Sequence, residues 1–341
     1  VSGRFLVRAV ESGDESALLS LAKTVHSVSL PVDAARMEER IALSCSSFAG
    51  EIPSDDRRYV FVLVDLEKGH PIGTSTIIAR QGTPERPHFF FDVIRREHYS
   101  SVLQSGHVHV TLKLGENLDG PTELAGLVIE SGYRRHPQRL GMLMSLTRFN
   151  YIATHRDAFR DRLLAQVMGN VTPDGRNLLW DYLGRRFVNL SYLEADEFCR
   201  RSNLFIRELF PEGEIYASIL PPEARNLIGT VGPDAGGAYK LLTSLGFTET
   251  GEIDPFDGGP YLEAVIDDVE LIAETKSVDI IGVTEKGGSS SIISTTLGGT
   301  FRATSAPCQW GEGGLLVAPV ALDVLGISVG DRVVTTPGDR R

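Results

Sequence analysis

Cysteine is scarce in this 341-residue chain, and Cys45, Cys199 and Cys308 are odd in number, far apart and without CxxC spacing. That excludes a disulfide framework, gives no zinc cluster and fits a reducing cytoplasm, so no metal is expected. Positive charge is short as well, with 34 Lys and Arg against 45 Asp and Glu for a formal charge of −11. Broad nucleic-acid binding needs a continuous basic surface to displace counterions, so no nucleic-acid partner is expected. No stretch approaches the roughly 18 apolar residues of a membrane span, which predicts no membrane partner. The opening residues Val1 to Arg8 lack the long apolar core of a signal peptide, and the protein is expected to be soluble and cytoplasmic.

What is present is an ordinary globular composition, 42% hydrophobic and 23% charged, in a chain long enough for one large or two ordinary domains. Phe5–Val10 reads as a strand, the stretch after Ser12 as a capped helix, and 32–47 as a second helix. Two apolar runs at hairpin spacing follow, 59–64 and 72–79. Further strands are expected at 88–93, 107–114 and 163–168, and at 216–220 and 227–231. Helices are expected from Asn177 to Gly184 and from Gly237 to Leu245, each ended by a glycine in a left-handed cap, which suggests a partial internal repeat. From about Lys276 the chain turns to Gly, Ser, Thr and Val, including Gly287-Gly288 and Gly298-Gly299, and predicts a small β-rich tail.

The chemistry centres on one strand, turn and helix. The buried strand Glu123 to Ile129 runs through Tyr133-Arg134-Arg135-His136-Pro137-Gln138-Arg139 into a helix from about Gln138 to His155. A helix start offers unpaired N–H groups and a favourable dipole, a combination that binds phosphate. Arg134, Arg135 and Arg139 add the positive charge that the chain otherwise lacks, and Gly141, between Leu140 and Met142, permits close approach of a diphosphate. On its own the motif also fits a solvated arginine cluster flanking a helix. It is neither a P-loop, lacking Gly-Lys-Ser/Thr, nor a dinucleotide fingerprint, lacking three spaced glycines.

Several separated motifs agree in order and spacing: Ser29-Leu30-Pro31, Tyr59 to Leu63, Thr122-Glu123-Leu124, the arginine turn, Ser145 to Phe149, Leu179 to Phe187, and Phe256-Asp257-Gly258-Gly259-Pro260. Together they resemble the arginine N-succinyltransferases of bacterial arginine catabolism over roughly residues 5–272. The resemblance implies an α/β (α+β) GNAT acyltransferase core, a mixed, mostly antiparallel sheet flanked by helices. Joined to the repeat and the composition read above, it gives a core at 1–195, a partial second GNAT-like half at 196–275 that completes the active site, and a small β-barrel-like tail at 276–341. It also implies succinyl-CoA or another acyl-CoA as co-substrate, with no tightly bound cofactor, and arginine or a related amino acid as the acceptor of the acyl group on its α-amine. In the family the position matching Leu127 is associated with the acyl-CoA, so Leu127, Val128 and Ile129 join the arginine turn as the expected donor site. One departure stands out. The family's Val-His-Pro, whose histidine is the proton donor, is here Val231-Gly232-Pro233.

Acyl transfer needs a base for the attacking ammonium, a donor for the thioester oxyanion and an acid for the leaving thiolate. Glu123, at the start of the strand, is the candidate base, acting directly or through water, or else a carboxylate pairing with a nearby arginine. His107 and His109 alternate on an adjacent strand and share a face, as proton carriers or as structural histidines. Asp257, in a tight turn, either pairs with a cationic acceptor or bonds its own backbone. Trp180 reads as core packing. The alternative function is a relative that binds acyl-CoA or an amino acid without turnover, motivated by Gly232. A homo- or hetero-oligomer is expected, with the tail as a possible assembly module.

Overall fold

The computed structural model describes residues 3–24, 30–285 and 288–338; of the segments named above, Val1, Ser2, Ser29 and Gly287 lie outside the described residues. The chain packs into two compact units that alternate along the sequence. Val1–Arg80, Thr122–Asp161 and Val265–Arg341 make up unit 1, and Gln81–Pro121 and Arg162–Ala264 make up unit 2.

Unit 1 opens with β1 (Phe5–Ala9), the helices α1 (Glu15–Thr24) and α2 (Ala34–Ala49), and the strands β2 (Arg58–Asp65) and β3 (His70–Ile78). Unit 2 then contributes β4 (His88–Ser100) and β5 (Ser105–Asn117), after which β6 (Thr122–Ile129) and the helix α3 (Leu140–Thr154) belong to unit 1. Unit 2 continues with β7 (Arg162–Gln166), β8 (Ile215–Tyr216), β9 (Thr248–Ile253) and β10 (Pro260–Val265). The last five strands, β11 (Lys276–Val283), β12 (Ser289–Thr295), β13 (Arg302–Gly311), β14 (Gly314–Val317) and β15 (Arg332–Pro337), are again in unit 1.

Within unit 1 the strand order is β6-β3-β2-β1-β13, and β13 continues through β14, β11, β15 and β12 and pairs with β12 again, closing a five-stranded barrel. β11 and β14 run parallel; the other strand pairs of this unit are antiparallel. The β-rich tail expected from the glycine and serine content is therefore a closed barrel, which leaves its strands no free edges. It also carries a helix, Pro319–Leu325, that the glycine-rich composition concealed.

The sheet around β2 is covered on both faces, which explains why β2 and β3 are apolar runs without alternation. Val60, Val62 and Val64 pack with Leu18 and Leu21 of α1, Met37 and Ile41 of α2, and Val128 of β6. Tyr59 and Phe61, pointing the other way, meet Tyr151 of α3 at 5.0 and 5.4 Å between ring centroids. Full burial of one such side chain contributes about 1.5–3 kcal/mol. α3 is buried without a break from Leu143 to Ile152, the pattern of a helix enclosed on every side. Its Asn150 is satisfied by the barrel, donating to Thr336 Oγ1 at 2.9 Å and accepting from Ser294 Oγ at 2.6 Å.

In unit 2 the order is β8-β5-β4-β9-β10-β7. Three sequence expectations are corrected here. The helix expected to stop at Gly184 runs on to 187 through a π-turn at Trp180–Gly184. Gly184 is right-handed, with φ −58 and ψ −45, and a β-carbon there would lie 2.2 Å from the Trp180 indole. The glycine makes room for a buried tryptophan rather than ending a helix; Gly246, at φ +94, does follow a helix end. Residues 227–231 are not a strand, because the N–H groups of Leu227 and Ile228 turn back to the carbonyls of Ala224 and Arg225. Of the strand expected at 216–220 only Tyr216 is in β8, and Ala217–Ile219 form a 3-10 turn. No helix among the described residues is long and apolar enough to cross a membrane.

Candidate active site

In unit 1, β6 carries a bulge. Ala125 pairs with Thr76 and Val128 with Thr74, so Gly126 and Leu127 together oppose the single residue Ser75. Gly126 has φ +60, a conformation that glycine takes without a side-chain clash. A bulge leaves its extra residue out of the ladder, so main-chain N–H beside Leu127 is available for something other than β3. Leu127 and Ile129 are half-buried and Val128 is buried.

The turn after β6 is held from behind. Tyr133 is buried, and its hydroxyl donates to Asp65 Oδ2 at 2.5 Å. Arg4 clamps the same carboxylate through Nε at 2.8 Å and Nη2 at 2.5 Å. The Arg4 guanidinium, helped by the Tyr133 hydroxyl and the Glu67 N–H, holds the Asp65 carboxyl well below the usual carboxylate range. With its base fixed in this way, the turn presents Arg134, Arg135 and Arg139 to solvent. Arg135 and Arg139 both have positive φ, 58 and 51, a strain of order 1–3 kcal/mol each for a residue with a β-carbon.

Arg139 is also the residue before α3. Its carbonyl accepts from Met142 N at 2.8 Å and Leu143 N at 3.0 Å, while among the described residues no side chain caps the helix start and no acid occupies its first turn. The positive end of the helix dipole is thus left for an anion. Leu140 is buried beneath, Met142 is half-buried, and a β-carbon on Gly141 would meet nothing within 4 Å, so the helix is open on that side. Glu123 is buried opposite Ile78, four residues before Leu127, about 13 Å away along an extended strand.

Comparison with known proteins now adds to this geometry. The family model described as "Arginine N-succinyltransferase beta subunit" matches residues 5–271, and the one for its C-terminal domain matches 274–337. The arginine N-succinyltransferase subunit beta of Pseudomonas aeruginosa is 32% identical over 336 residues, covering 97% of this chain and 98% of the relative. This chain belongs to the arginine N-succinyltransferase family. An arginine N-succinyltransferase of Escherichia coli is likewise 32% identical, over 96% of each chain. The solved arginine/ornithine succinyltransferase subunit AI from Pseudomonas aeruginosa has a TM-score of 0.86 at 27% identity over 99% of both chains.

The glycine at 232 has a physical reason. A β-carbon on Gly232 would stand 2.2 Å from the Gly169 carbonyl oxygen, and Gly232 N–H donates to Met168 O at 2.9 Å. Gly169 is pressed in the same way against the Asp257 carbonyl, and Gly259 against the Val167 carbonyl. Three chain segments of unit 2 meet backbone to backbone here, and any side chain at 232 would require that backbone to shift. Asp257 belongs to this junction: it is 2% exposed, and its Oδ1 accepts Gly259 N–H at 2.7 Å. Its side chain shapes the turn, one of the two roles the sequence left open.

His107 and His109 lie on β5 of unit 2, His107 exposed and His109 half-buried. They do share a face, along with His98, which pairs with His107 across the hairpin, and the rings of His109 and Tyr216 are 5.5 Å apart. Trp180 is fully buried, stacked on Phe256 at 4.8 Å. Sequence reasoning missed the bulge, although a glycine inside an apolar strand was its signal. It also missed the Arg4–Asp65–Tyr133 clamp, which joins residues more than 60 positions apart and leaves no local trace.

Proposed function

We propose that this chain transfers the succinyl group of succinyl-CoA to the α-amine of arginine. The observation that carries the reading is the bulged strand β6 leading through three exposed arginines into an uncapped helix start. Its support from kinship is the shared family and the names of its full-length relatives.

The helix start of α3 and Arg134, Arg135 and Arg139 hold the diphosphate of the nucleotide. The main chain at Gly126–Leu127 orients the thioester and donates to the oxygen that becomes charged when the amine attacks, where a preorganised donor counts most. A C–N bond forms and the C–S bond breaks; the nitrogen loses two protons in all, one from the ammonium before attack, which passes to solvent through the base, and one as the amide forms, which the leaving thiolate takes up. A thiol leaves with a pKa near about 8.5, so it needs little acid help, and this fits a chain with glycine at 232. Glu123, about 13 Å along the strand from the bulge, serves the amine through intervening water. His107 and His109 are the alternative proton carriers. The beta-subunit description of the family supports operation within a heteromeric assembly.

The test is purified chain with arginine and succinyl-CoA, followed by release of free thiol and by the mass of the product, with acetyl-CoA as the comparison donor. CoA at a hundredfold excess over its dissociation constant adds about 2.7 kcal/mol to stability. Absence of both turnover and this stabilisation ends the reading. Glu123→Gln, His107→Ala and His109→Ala, each assayed for kcat, decide among the proton carriers. The close packing at Gly232 favours one second reading, a ligand-binding relative without turnover, and stabilisation by CoA with no thiol release across an amine panel would select it.

A further inference from the structure

Arg148 is the one buried charge of α3 and is used by nothing described so far. It is 3% exposed, and its one side-chain hydrogen bond among the described residues is Nη2 to Ser145 Oγ at 3.0 Å. Its Nε is buried without a partner, and no carboxylate among the described residues answers its charge. Burial alone pushes its pKa down, to about 10, so it keeps its proton at neutral pH. A buried, unanswered guanidinium is among the costliest arrangements a core can hold.

A second orphan lies on the α3 side of the sheet. Ser75 is fully buried, and its Oγ has no partner. It pairs with Phe61 across β2 and β3, and residues directly opposite share a face, so Ser75 looks toward α3, as Phe61 does against Tyr151. Arg148 lies three residues before Tyr151, on the same side of the helix, while Asn150 turns away to the barrel. Ser75 is also the residue opposite the bulge of β6. A guanidinium whose Nε lacks a partner and a hydroxyl that lacks one therefore lie on the α3 side of the sheet, Ser75 directly opposite the bulge.

We infer that Arg148, assisted by Ser75, binds the free carboxylate of the acyl group and thereby selects a dicarboxylic acyl-CoA over a monocarboxylic one. This rests on the donor reading above. A planar guanidinium fits a carboxylate through two parallel hydrogen bonds. Arg148 belongs to α3, the helix whose start is read above as gripping the donor, and Ser75 stands opposite the bulge of β6, so the charge that Arg148 meets is assigned to the acyl chain rather than to the acceptor. The α-carboxylate of arginine is the other source of the same chemistry, and the experiment separates the two.

The experiment measures kcat/KM for succinyl-CoA and butyryl-CoA with arginine, and for arginine and agmatine with succinyl-CoA, in wild type, Arg148→Met, Arg148→Lys and Ser75→Ala. Dissociation constants for succinyl-CoA and butyryl-CoA are taken in parallel, so the result does not depend on turnover. The preference for succinyl- over butyryl-CoA should fall roughly 10- to 100-fold in Arg148→Met, as expected for a lost charge-assisted pair, less in Arg148→Lys and least in Ser75→Ala. Arg148→Met should melt no lower than wild type, since it removes a buried unpaired charge. An unchanged succinyl-to-butyryl ratio in both rate and binding overturns the inference, as does a loss confined to the arginine-to-agmatine ratio. A wild type that turns over none of these donors counts against the acyltransferase reading instead, while its dissociation constants still test Arg148.

Discussion

The two units solve the burial of polar groups in opposite ways. In unit 1, side chains answer side chains: behind the arginine turn Asp65 is matched by Arg4 and Tyr133, and after β1 Asp14 is matched by both arms of Arg8 at 2.7 Å. At the glycine junction of unit 2, backbone answers backbone, and the carboxylates that remain are held mainly by main-chain N–H groups, with the Tyr261 hydroxyl donating to Asp254 Oδ2 at 3.3 Å. Asp254 Oδ1 accepts from Phe256 N at 2.8 Å and Asp257 N at 2.9 Å, and Asp257 accepts from Gly259 N. The electrostatic outcome differs accordingly. A paired guanidinium keeps Asp65 ionised, whereas burial drives Asp254 and Asp257 up from the ordinary carboxylate range, their mutual repulsion adding to it for Asp257. A charged clamp can aim a turn at an anion; a junction of glycines and buried acids with raised pKa values positions chain segments but offers no proton donor at 232.

The sharpest way to break this contrast is to put a side chain into the backbone junction. Gly232→Ala forces a β-carbon to 2.2 Å from the Gly169 carbonyl, and the expected loss is about 3 kcal/mol or more, read by chemical denaturation. Gly232→His should be worse still and restore no acid function. A histidine accepted with unchanged stability would show that the three segments are not locked together.

Next in size is the clamp of unit 1. Asp65→Ala leaves Arg4 and the buried Tyr133 hydroxyl without their acceptor, and about 2–3 kcal/mol should be lost, below the value for a fully buried pair because Arg4 is about a third exposed. The variant should also weaken CoA binding, because the turn loses its anchor. If stability falls while CoA affinity is unchanged, Tyr133 does not set the geometry of the arginines. Because Asp65 has a depressed folded pKa, its contribution is present above the ordinary carboxylate range and is lost as the pH falls through that folded value. Wild type should therefore keep this term at pH 4 and above.

Unit 2 should titrate at milder pH, with two groups opposing each other. Burial, resisted by Arg200 and reinforced by Asp254, pushes Asp196 up to about 6, so its effect on stability declines as pH rises from near its unfolded value toward 6. Burial pushes His88 down to about 4, so its effect runs the other way, stability rising with pH from about 4 to the unfolded value near 6.5. Between pH 4 and 6 the two slopes offset. Asp196→Asn should expose the rising slope and His88→Phe the falling one, each about 2 kcal/mol across the window at about 1.36 kcal/mol per pKa unit. Identical pH profiles for both variants and wild type would mean that neither group is shielded as the fold implies.

These differences also mark what the sequence could reveal. The strand Glu123–Ile129, the arginine turn and α3 were legible because apolar runs, charge and helix start signals are local patterns. The β-rich, barrel-like tail was legible from its composition, while the pairing of β12 with β13 that closes it is visible only in the structure. Unit 2 was misread where glycine does unfamiliar work. Gly184 resembles a helix stop yet serves a tryptophan, and the run Leu227-Ile228 resembles a strand yet turns. Arg148 stood in a recognised motif, but its isolation is a statement about what does not surround it, and no linear pattern records that.

The smallest expected effect probes whether strain belongs to the side-chain-built region as well. Arg139 holds φ +51 at the entrance to α3, where a β-carbon is disfavoured and glycine is not. Arg139→Gly should therefore gain stability, by about 1 kcal/mol, even though it removes a residue of the proposed diphosphate grip. The same change should weaken CoA binding and flatten its dependence on salt, because one fewer guanidinium meets the phosphates. Stability and affinity moving in opposite directions is the mark of a residue held in a strained conformation for its ligand. If both fall together, the positive φ is relieved by contacts that the arginine itself makes, and the strain at the helix entrance is not reserved for binding.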